Sequence, residues 1–247
     1  MPAALSYRGM VRRKRTWLLV GLVVLAVGGT ALTVSRGPSS VATAARRNQT
    51  PSPLLAVIGA SFSAGVGAGG QHRAWPEDLA KTLHWRLVLS ADPGAGYVNR
   101  GSGRRGPLAR LAARLHLGRA SPTLIIIQGG HDDIGRPPSL IRERVQSLVA
   151  RIHRQAPHSL LAVLTVFARG NRPSAAAMAT DRAIVAAARR ADPAILVFDP
   201  LADGWHFPRG GDHLHPTAAG YRWIARDLAA DLRRLLDVSG RGHAALS

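Results

Sequence analysis

Residues 54–61 read Leu54-Leu55-Ala56-Val57-Ile58-Gly59-Ala60-Ser61, a short apolar run that ends at a turn and a serine. The run is apolar at each position instead of alternating, which is typical of a parallel strand covered by helices on both faces. The sequence therefore predicts five parallel strands in one sheet, because four later runs follow the same pattern: Arg86–Leu89, Leu124–Ile127, Leu160–Val166 and Ala194–Phe198.

Helical patterns lie between and after these runs. The spacing of apolar residues from Ile141 to Ile152 predicts one amphipathic helix, and Thr217 is the predicted cap of the last helix. Strands that alternate with helices indicate a three-layer α/β domain, in which functional residues follow the carboxyl ends of the strands. The last helix places these apolar side chains on one face: Tyr221, Ile224, Ala225, Leu228, Leu232 and Leu235.

The N-terminal region has the features of a membrane-targeting segment. A basic cluster, Arg12–Arg15, precedes Trp17–Val34, which contains eighteen uncharged residues. That length is enough to span a bilayer as a helix and exceeds the apolar part of most cleaved signals. Positive charge before the span predicts that the N-terminus stays inside and that the bulk of the chain is exported. Secretion after cleavage near Ala42-Thr43-Ala44 is the alternative.

These features divide the chain into four parts. Residues 1–34 form the basic N-terminus and the signal or anchor helix, and residues 35–52 read as a linker rich in Ser, Pro, Ala and Thr. Residues 53–237 form the predicted domain, and residues 238–247 a flexible tail.

The amino-acid composition of the chain excludes several kinds of reactive site. The chain has no cysteine, which excludes disulfides, cysteine nucleophiles and thiolate metal sites. Its net charge is +19, nearly all from arginine, but no nucleic-acid motif accompanies these residues, so we expect no nucleic-acid partner. The segment Arg100–Arg119 favours an anionic or envelope-bound substrate, or it is a solvated helix whose buried side is formed by Leu108, Leu111 and Leu115.

Candidate reactive residues follow the predicted strands. Ser61 comes after the first strand, where a sharp strand-to-helix turn would expose its hydroxyl and its backbone N–H. Gly94 follows the second strand, and Gln128-Gly129-Gly130-His131-Asp132-Asp133 follows the third. Near the C-terminus, Asp212 and His215 provide a carboxylate and a base from one loop. A serine nucleophile needs such an oriented base, so the conjunction indicates acyl transfer.

The arrangement closely resembles the SGNH (GDSL-type) hydrolase family from about Leu54 to Leu235. Ser61 stands at the nucleophile of the first block and Gly94 at the second-block glycine, while the last block matches Asp212-His213-Leu214-His215-Pro216-Thr217-Ala218-Ala219-Gly220-Tyr221. The resemblance implies a flavodoxin-like fold and ester or thioester hydrolysis without a cofactor or metal. It implies a triad of Ser61, Asp212 and His215, with the N–H groups of Ser61 and Gly94 in the oxyanion hole. The expected substrate is an ester, with an envelope glycan or a lipid among the candidates.

Two positions depart from the family pattern. Ala60 replaces the Asp of the first block, and His131 or Asp132 replaces the third-block Asn that donates a hydrogen bond to the oxyanion. A neutral or cationic His could donate, whereas an Asp could do so only when protonated. Losing one such donor costs about 10²–10³ in rate. The sequence therefore supports an exported serine esterase, or a weak or inactive envelope-binding protein with the same fold.

Two other motifs suggest different chemistry. Gly65-Val66-Gly67-Ala68-Gly69-Gly70, with Asp92 further on, matches a dinucleotide pattern, although it begins well after the strand ends. His206, Asp212, His213 and His215 have side chains that could bind zinc, and loss of activity in a chelator would support that reading.

Overall fold

The structure is a computed structural model that describes residues 52–244 except 104 and 171, with side chains described through Leu235. The predicted membrane helix Trp17–Val34 lies outside the described residues, as do most of the predicted linker and the last three residues. Within the described part, none of the helices has the length and hydropathy that a bilayer crossing requires.

Five parallel strands form one sheet, which confirms the predicted fold class. The strand order is β2-β1-β3-β4-β5, the order of flavodoxin-like folds. β4 ends two residues earlier than the sequence predicted, and β5 begins two residues later. The strands are β1 (Leu54–Gly59), β2 (Arg86–Ala91), β3 (Leu124–Gln128), β4 (Leu160–Leu164) and β5 (Leu196–Phe198).

Helices cover both faces of the sheet. The N–H of Gly220 donates to the Thr217 hydroxyl at 3.3 Å, so the predicted cap contact at the last helix is present. That helix continues past residue 237, so the boundary predicted there lies within a helix. The helices are α1 (Ser61–Ala64), α2 (Trp75–Leu83), α3 (Leu108–Ala113), α4 (Leu117–Ala120), α5 (Pro138–Gln155), α6 (Ala175–Ala191) and α7 (Ala218–Ala244), with 3-10 turns at Gln71–Arg73 and His131–Asp133.

The apolar runs of β1 and β3 contribute side chains to two separate hydrophobic cores, one on each face of the sheet. Successive side chains of a strand point to opposite faces, so β1 and β3 must be apolar throughout if both faces are covered. Ala56 and Ile58 pack against α3, α5 and α6, while Leu55 and Val57 pack against α2 and α7.

The connections locate the candidate site. The chain leaves β1 on the α2 side and leaves β3 on the α5 side, so β1 and β3 flank the point where the strand order reverses. Clefts in open α/β sheets form at this point, beyond the carboxyl ends of the strands. Ser61 and His131 begin the segments that emerge there.

Candidate active site

The turn that carries Ser61 is fastened to the neighbouring strand. Gln128, buried at the end of β3, accepts hydrogen bonds from the Ala60 N–H and the Ser63 hydroxyl, each at 3.0 Å. Gly59 is required because an added Cβ would collide with the Ser63 hydroxyl. Sequence reasoning missed the roles of Gln128 and Ser63, since one polar residue at the end of an apolar strand was the only signal.

Asp212 and His215 form a pair within the loop that precedes α7. Asp212 Oδ2 lies 2.5 Å from His215 Nδ1, while Asp212 Oδ1 accepts the N–H groups of Leu214 and His215 at 3.0 Å each. The His215 hydrogen bond, with these backbone donors, holds the pKa of Asp212 well below its usual range. Because a carboxylate only accepts, the proton of neutral His215 sits on Nδ1, and Nε2 carries a lone pair.

The free nitrogen of His215 lies at the same edge of the sheet as Ser61. His215 Nε2 is buried and, among the described residues, has no hydrogen-bond partner, so the Ser61 hydroxyl does not donate to it in this structure. The His215 ring is 5.5 Å from that of Phe62, which adjoins Ser61 in sequence. Hydrogen bonds between nucleophile and base often tighten only when substrate binds.

Contacts from three directions fix the His215 loop. The Tyr221 hydroxyl donates to the Val66 carbonyl at 2.7 Å and joins α7 to the turn after α1. Arg169, after β4, donates to the Asp212 carbonyl at 3.1 Å. A Cβ on Gly220 would collide with the Pro208 carbonyl, so glycine permits α7 to approach this loop.

An aromatic cluster adjoins the His215 loop. Phe62 and Phe167 stack with ring centroids 4.1 Å apart, and Phe207 meets both edge-on at 6.5 and 5.7 Å. Trp205 and Trp223 extend the cluster through edge contacts. Sequence analysis did not find it, because its members come from separate segments with no shared periodicity.

The loop that carries Gly94 is fastened to the segment after β3. Gly94 has φ +77°, a conformation that other residues rarely adopt, so glycine is needed there. The Asp133 carboxylate accepts the N–H groups of Tyr97, Val98 and Asn99 at 2.7, 3.0 and 3.0 Å. Asp133 is therefore a positioning residue that the sequence did not reveal as such.

His131 and Asp132, the alternatives for the missing Asn, differ in what they can donate. His131 Nδ1 lies 3.1 Å from the Phe167 carbonyl, so that nitrogen carries a proton and donates to it. Burial lowers the pKa of His131, and the neutral ring therefore offers Nε2 only as an acceptor. Burial and the neighbouring Asp133 raise the pKa of Asp132 to about 6, so its neutral acid form is accessible in mildly acidic solution.

The glycine motif and Asp92 make structural contacts in the domain. Gly65 ends α1 at φ +77°, and a Cβ on Gly67 would lie 3.1 Å from His215 Cβ, so the glycine segment packs against the His215 loop. Asp92 is buried and accepts the Arg105 N–H at 3.3 Å. Among the described residues, no group of three or more histidine and acidic side chains is arranged to hold a metal ion.

Solved structures with the same fold include several esterases. A carbohydrate esterase family 2 enzyme with a carbohydrate-binding domain, from Corynascus thermopiles (Myceliophthora fergusii), is 19% identical over 76% of this chain and 68% of its own, with a TM-score of 0.65. An acetyl xylan esterase from Butyrivibrio proteoclasticus is 16% identical over 76% and 66%, with a TM-score of 0.58. A lipolytic protein of the G-D-S-L family from Desulfitobacterium hafniense DCB-2 is 16% identical over 72% and 98%, with a TM-score of 0.55.

At sequence identities below 20%, the likeness to these solved structures establishes the fold alone. The family is established by a match to the sequence. No curated protein matches the chain. The sequence pattern of the GDSL-like lipase/acylhydrolase family matches residues 57–223, more than half of the 247 residues, which confirms the predicted resemblance. The chain belongs to the GDSL-like lipase/acylhydrolase family, a family of ester hydrolases.

Proposed function

We propose that this chain is an exported carboxylic ester hydrolase that removes short acyl groups, such as acetyl, from a carbohydrate. Membership of an ester-hydrolysing family supports the reaction class. The carbohydrate esterases and the acetyl xylan esterase that share the fold support the substrate class.

In the proposed mechanism His215 Nε2 takes the proton of Ser61 as its Oγ attacks the acyl carbonyl. The oxyanion is held by the N–H groups of Ser61 and Gly94, with a third donor from the His131-Asp132 segment. Protonated His215 then gives its proton to the departing alcohol, which leaves Ser61 acylated. Water, deprotonated by His215, attacks the acyl group. The bond between the acyl carbon and Ser61 Oγ then breaks, His215 returns its proton to Oγ, and the acid is released.

One observation carries the proposal. The buried Nε2 of His215 has no hydrogen-bond partner among the described residues, while Nδ1 is held by Asp212. A buried polar atom without a partner costs free energy, and a role in catalysis is one reason why a protein keeps such an atom. The ionised Asp212 would also stabilise the imidazolium that forms during attack.

The first test is hydrolysis of p-nitrophenyl acetate and acetylated xylan by the full chain in a nonionic detergent. We expect Ser61→Ala to lower kcat by about 10³-fold or more, because the nucleophile is lost. Ser147→Ala, an exposed serine of α5, is the matched control and should keep wild-type rates. Equal turnover by Ser61→Ala and the wild type would refute the mechanism, and loss of activity in chelator would favour a metal site at His206–His215.

A second candidate function is glycan binding without efficient catalysis. The observation that favours it is the third block, where neither neutral His131 nor ionised Asp132 provides the missing donor. Binding of xylan oligomers by the wild type, with no ester turnover at any pH, would support this function. Turnover that depends on Ser61 would exclude it.

We also propose that the domain acts outside the cytoplasm, held by the segment Trp17–Val34. Support comes from the uncharged length of this segment and from the basic residues Arg12–Arg15 before it. Secretion after cleavage is the alternative, and recovery of the chain without residues 1–44 from the medium would identify it.

A further inference from the structure

The two helical layers of the domain differ in charge. Helices α2 and α7, through Leu235, carry five basic and four acidic residues, a balanced set. Helices α3 to α6 carry nine arginines against two acids, Glu143 and Asp181, of which Asp181 is buried. A compositional bias towards arginine would affect both layers, so the asymmetry marks one face. Its arginines are Arg110, Arg119, Arg142, Arg144, Arg151, Arg154, Arg182, Arg189 and Arg190.

These arginines are exposed and largely unneutralised by the protein. Eight of the nine are exposed, and Arg151 is half-buried. Among the described residues, only Arg144 of this set pairs with a carboxylate, that of Glu143 at 3.9 Å. Clustered charge of one sign without internal partners creates a potential that concentrates ions of the opposite charge.

A cavity between α3 and α5 lies within this face. Its volume of about 620 Å³ is within the usual range of ligand pockets, and three arginines line it: Arg100, Arg110 and Arg151. Arg151 donates from Nη2 to the Ala109 carbonyl, which holds its guanidinium against α3. Among the described residues, no carboxylate lines this cavity, so an anion placed in it would meet three positive charges and no negative one.

The cavity adjoins the loop that we assign to the oxyanion hole. Gly101 lines the cavity, and a Cβ on Gly94 would lie 3.5 Å from its Cα. Arg100, also in the lining, pairs with Ala95 in an isolated bridge. A chain molecule with its ester at Ser61 could therefore reach the arginines across the Gly94 loop.

We propose that this cavity binds a carboxylate group of an anionic polysaccharide whose esterified unit occupies the Ser61 site; this inference rests on the proposed function. Guanidinium groups suit carboxylates because two parallel N–H groups match two oxygens. A bilayer fits the face less well, because interfacial binding needs exposed apolar side chains. In the described part, the exposed large apolar residues are Leu160 and Leu235, neither of them on helices α3 to α6.

The test measures binding of a galacturonate oligomer and of a neutral xylose oligomer to full-length Ser61→Ala protein by titration calorimetry. We expect the galacturonate oligomer to bind more tightly and to lose affinity as salt is raised. Adding Arg100→Gln and Arg110→Gln should raise its Kd about tenfold, with little effect on the xylose oligomer. Thermal melting verifies that the variant is folded.

The matched control is Arg222→Gln with Arg226→Gln, which removes two exposed charges from α7. Equal weakening by both pairs would refute a specific cavity and indicate diffuse attraction. Binding to phosphatidylglycerol in nonionic micelles through Arg100 and Arg110, without binding of the galacturonate oligomer, would overturn the proposal in favour of a membrane surface. Because binding is measured without Ser61, failure of the esterase mechanism would appear separately, as absent p-nitrophenyl acetate turnover in the wild type.

Discussion

At the scale of single residues, the chemistry of this site depends on which side chain replaces the family's asparagine. His131 donates from Nδ1 to the Phe167 carbonyl, and its lowered pKa keeps the other nitrogen unprotonated. Asp132, with a pKa of about 6, is a donor as the neutral acid and a repelling charge as the carboxylate. We infer that Asp132 is the third donor and that it works only in its protonated form.

This inference predicts a gain of activity in Asp132→Asn. Above pH 6 the wild-type carboxylate is ionised and opposes the oxyanion, whereas an amide donates at any pH. We expect kcat/KM for p-nitrophenyl acetate to rise about 10²-fold at pH 8 and less than about tenfold at pH 5. His131→Asn is the comparison variant. A gain in His131→Asn and none in Asp132→Asn would show that His131 occupies the donor position.

At the scale of elements, the site is built from loops that are fastened to one another. Gln128 of β3 holds the turn after β1, and Asp133 holds the Gly94 loop. Gln128 and Asp133 are both buried, and each accepts hydrogen bonds from more than one donor. The position of Ser61 therefore depends on the pairing of β1 with β3, as well as on its own turn.

We predict that Gln128→Met destabilises the domain by about 2–4 kcal/mol, because it leaves the Ala60 N–H and the Ser63 hydroxyl buried without an acceptor. Ser63→Ala should cost about 1 kcal/mol, since Gln128 keeps its bond to Ala60. Urea unfolding gives both free energies. If the two variants proved equally stable, Gln128 would not be the anchor of this turn.

At the scale of the whole molecule, parts of the chain with different charge and hydropathy follow one another along the sequence. The basic cluster Arg12–Arg15 and the uncharged segment Trp17–Val34 precede a domain with an arginine-rich face. Together they support the proposal that the domain lies outside the membrane, beside anionic polymers.

The predicted orientation is testable with fusions to the C-terminus in a bacterial host. If the domain is exported as proposed, we expect a fused alkaline phosphatase to be active and a fused green fluorescent protein to be dark. Deleting residues 1–34 should reverse both signals. If green fluorescent protein fused to the full chain were fluorescent, export would be refuted.

The sequence by itself determined the fold class, the family and, to within two residues, the strand positions. Short uninterrupted apolar runs that alternate with helices favour parallel strands buried on both faces, and parallel strands bring the residues after them to one edge of the sheet. The pairing of Asp212 with His215 could also be predicted, because only two residues separate them and local geometry decides their contact.

Only the tertiary structure decided what each residue at that edge can do. The tautomer of His131, the raised pKa of Asp132, the anchoring by Gln128 and Asp133, and the aromatic cluster depend on segments distant in sequence. The separation of charge between the two helical layers likewise required the topology. Hydrogen-bond partners and burial are set by packing, and packing joins residues that no local pattern relates.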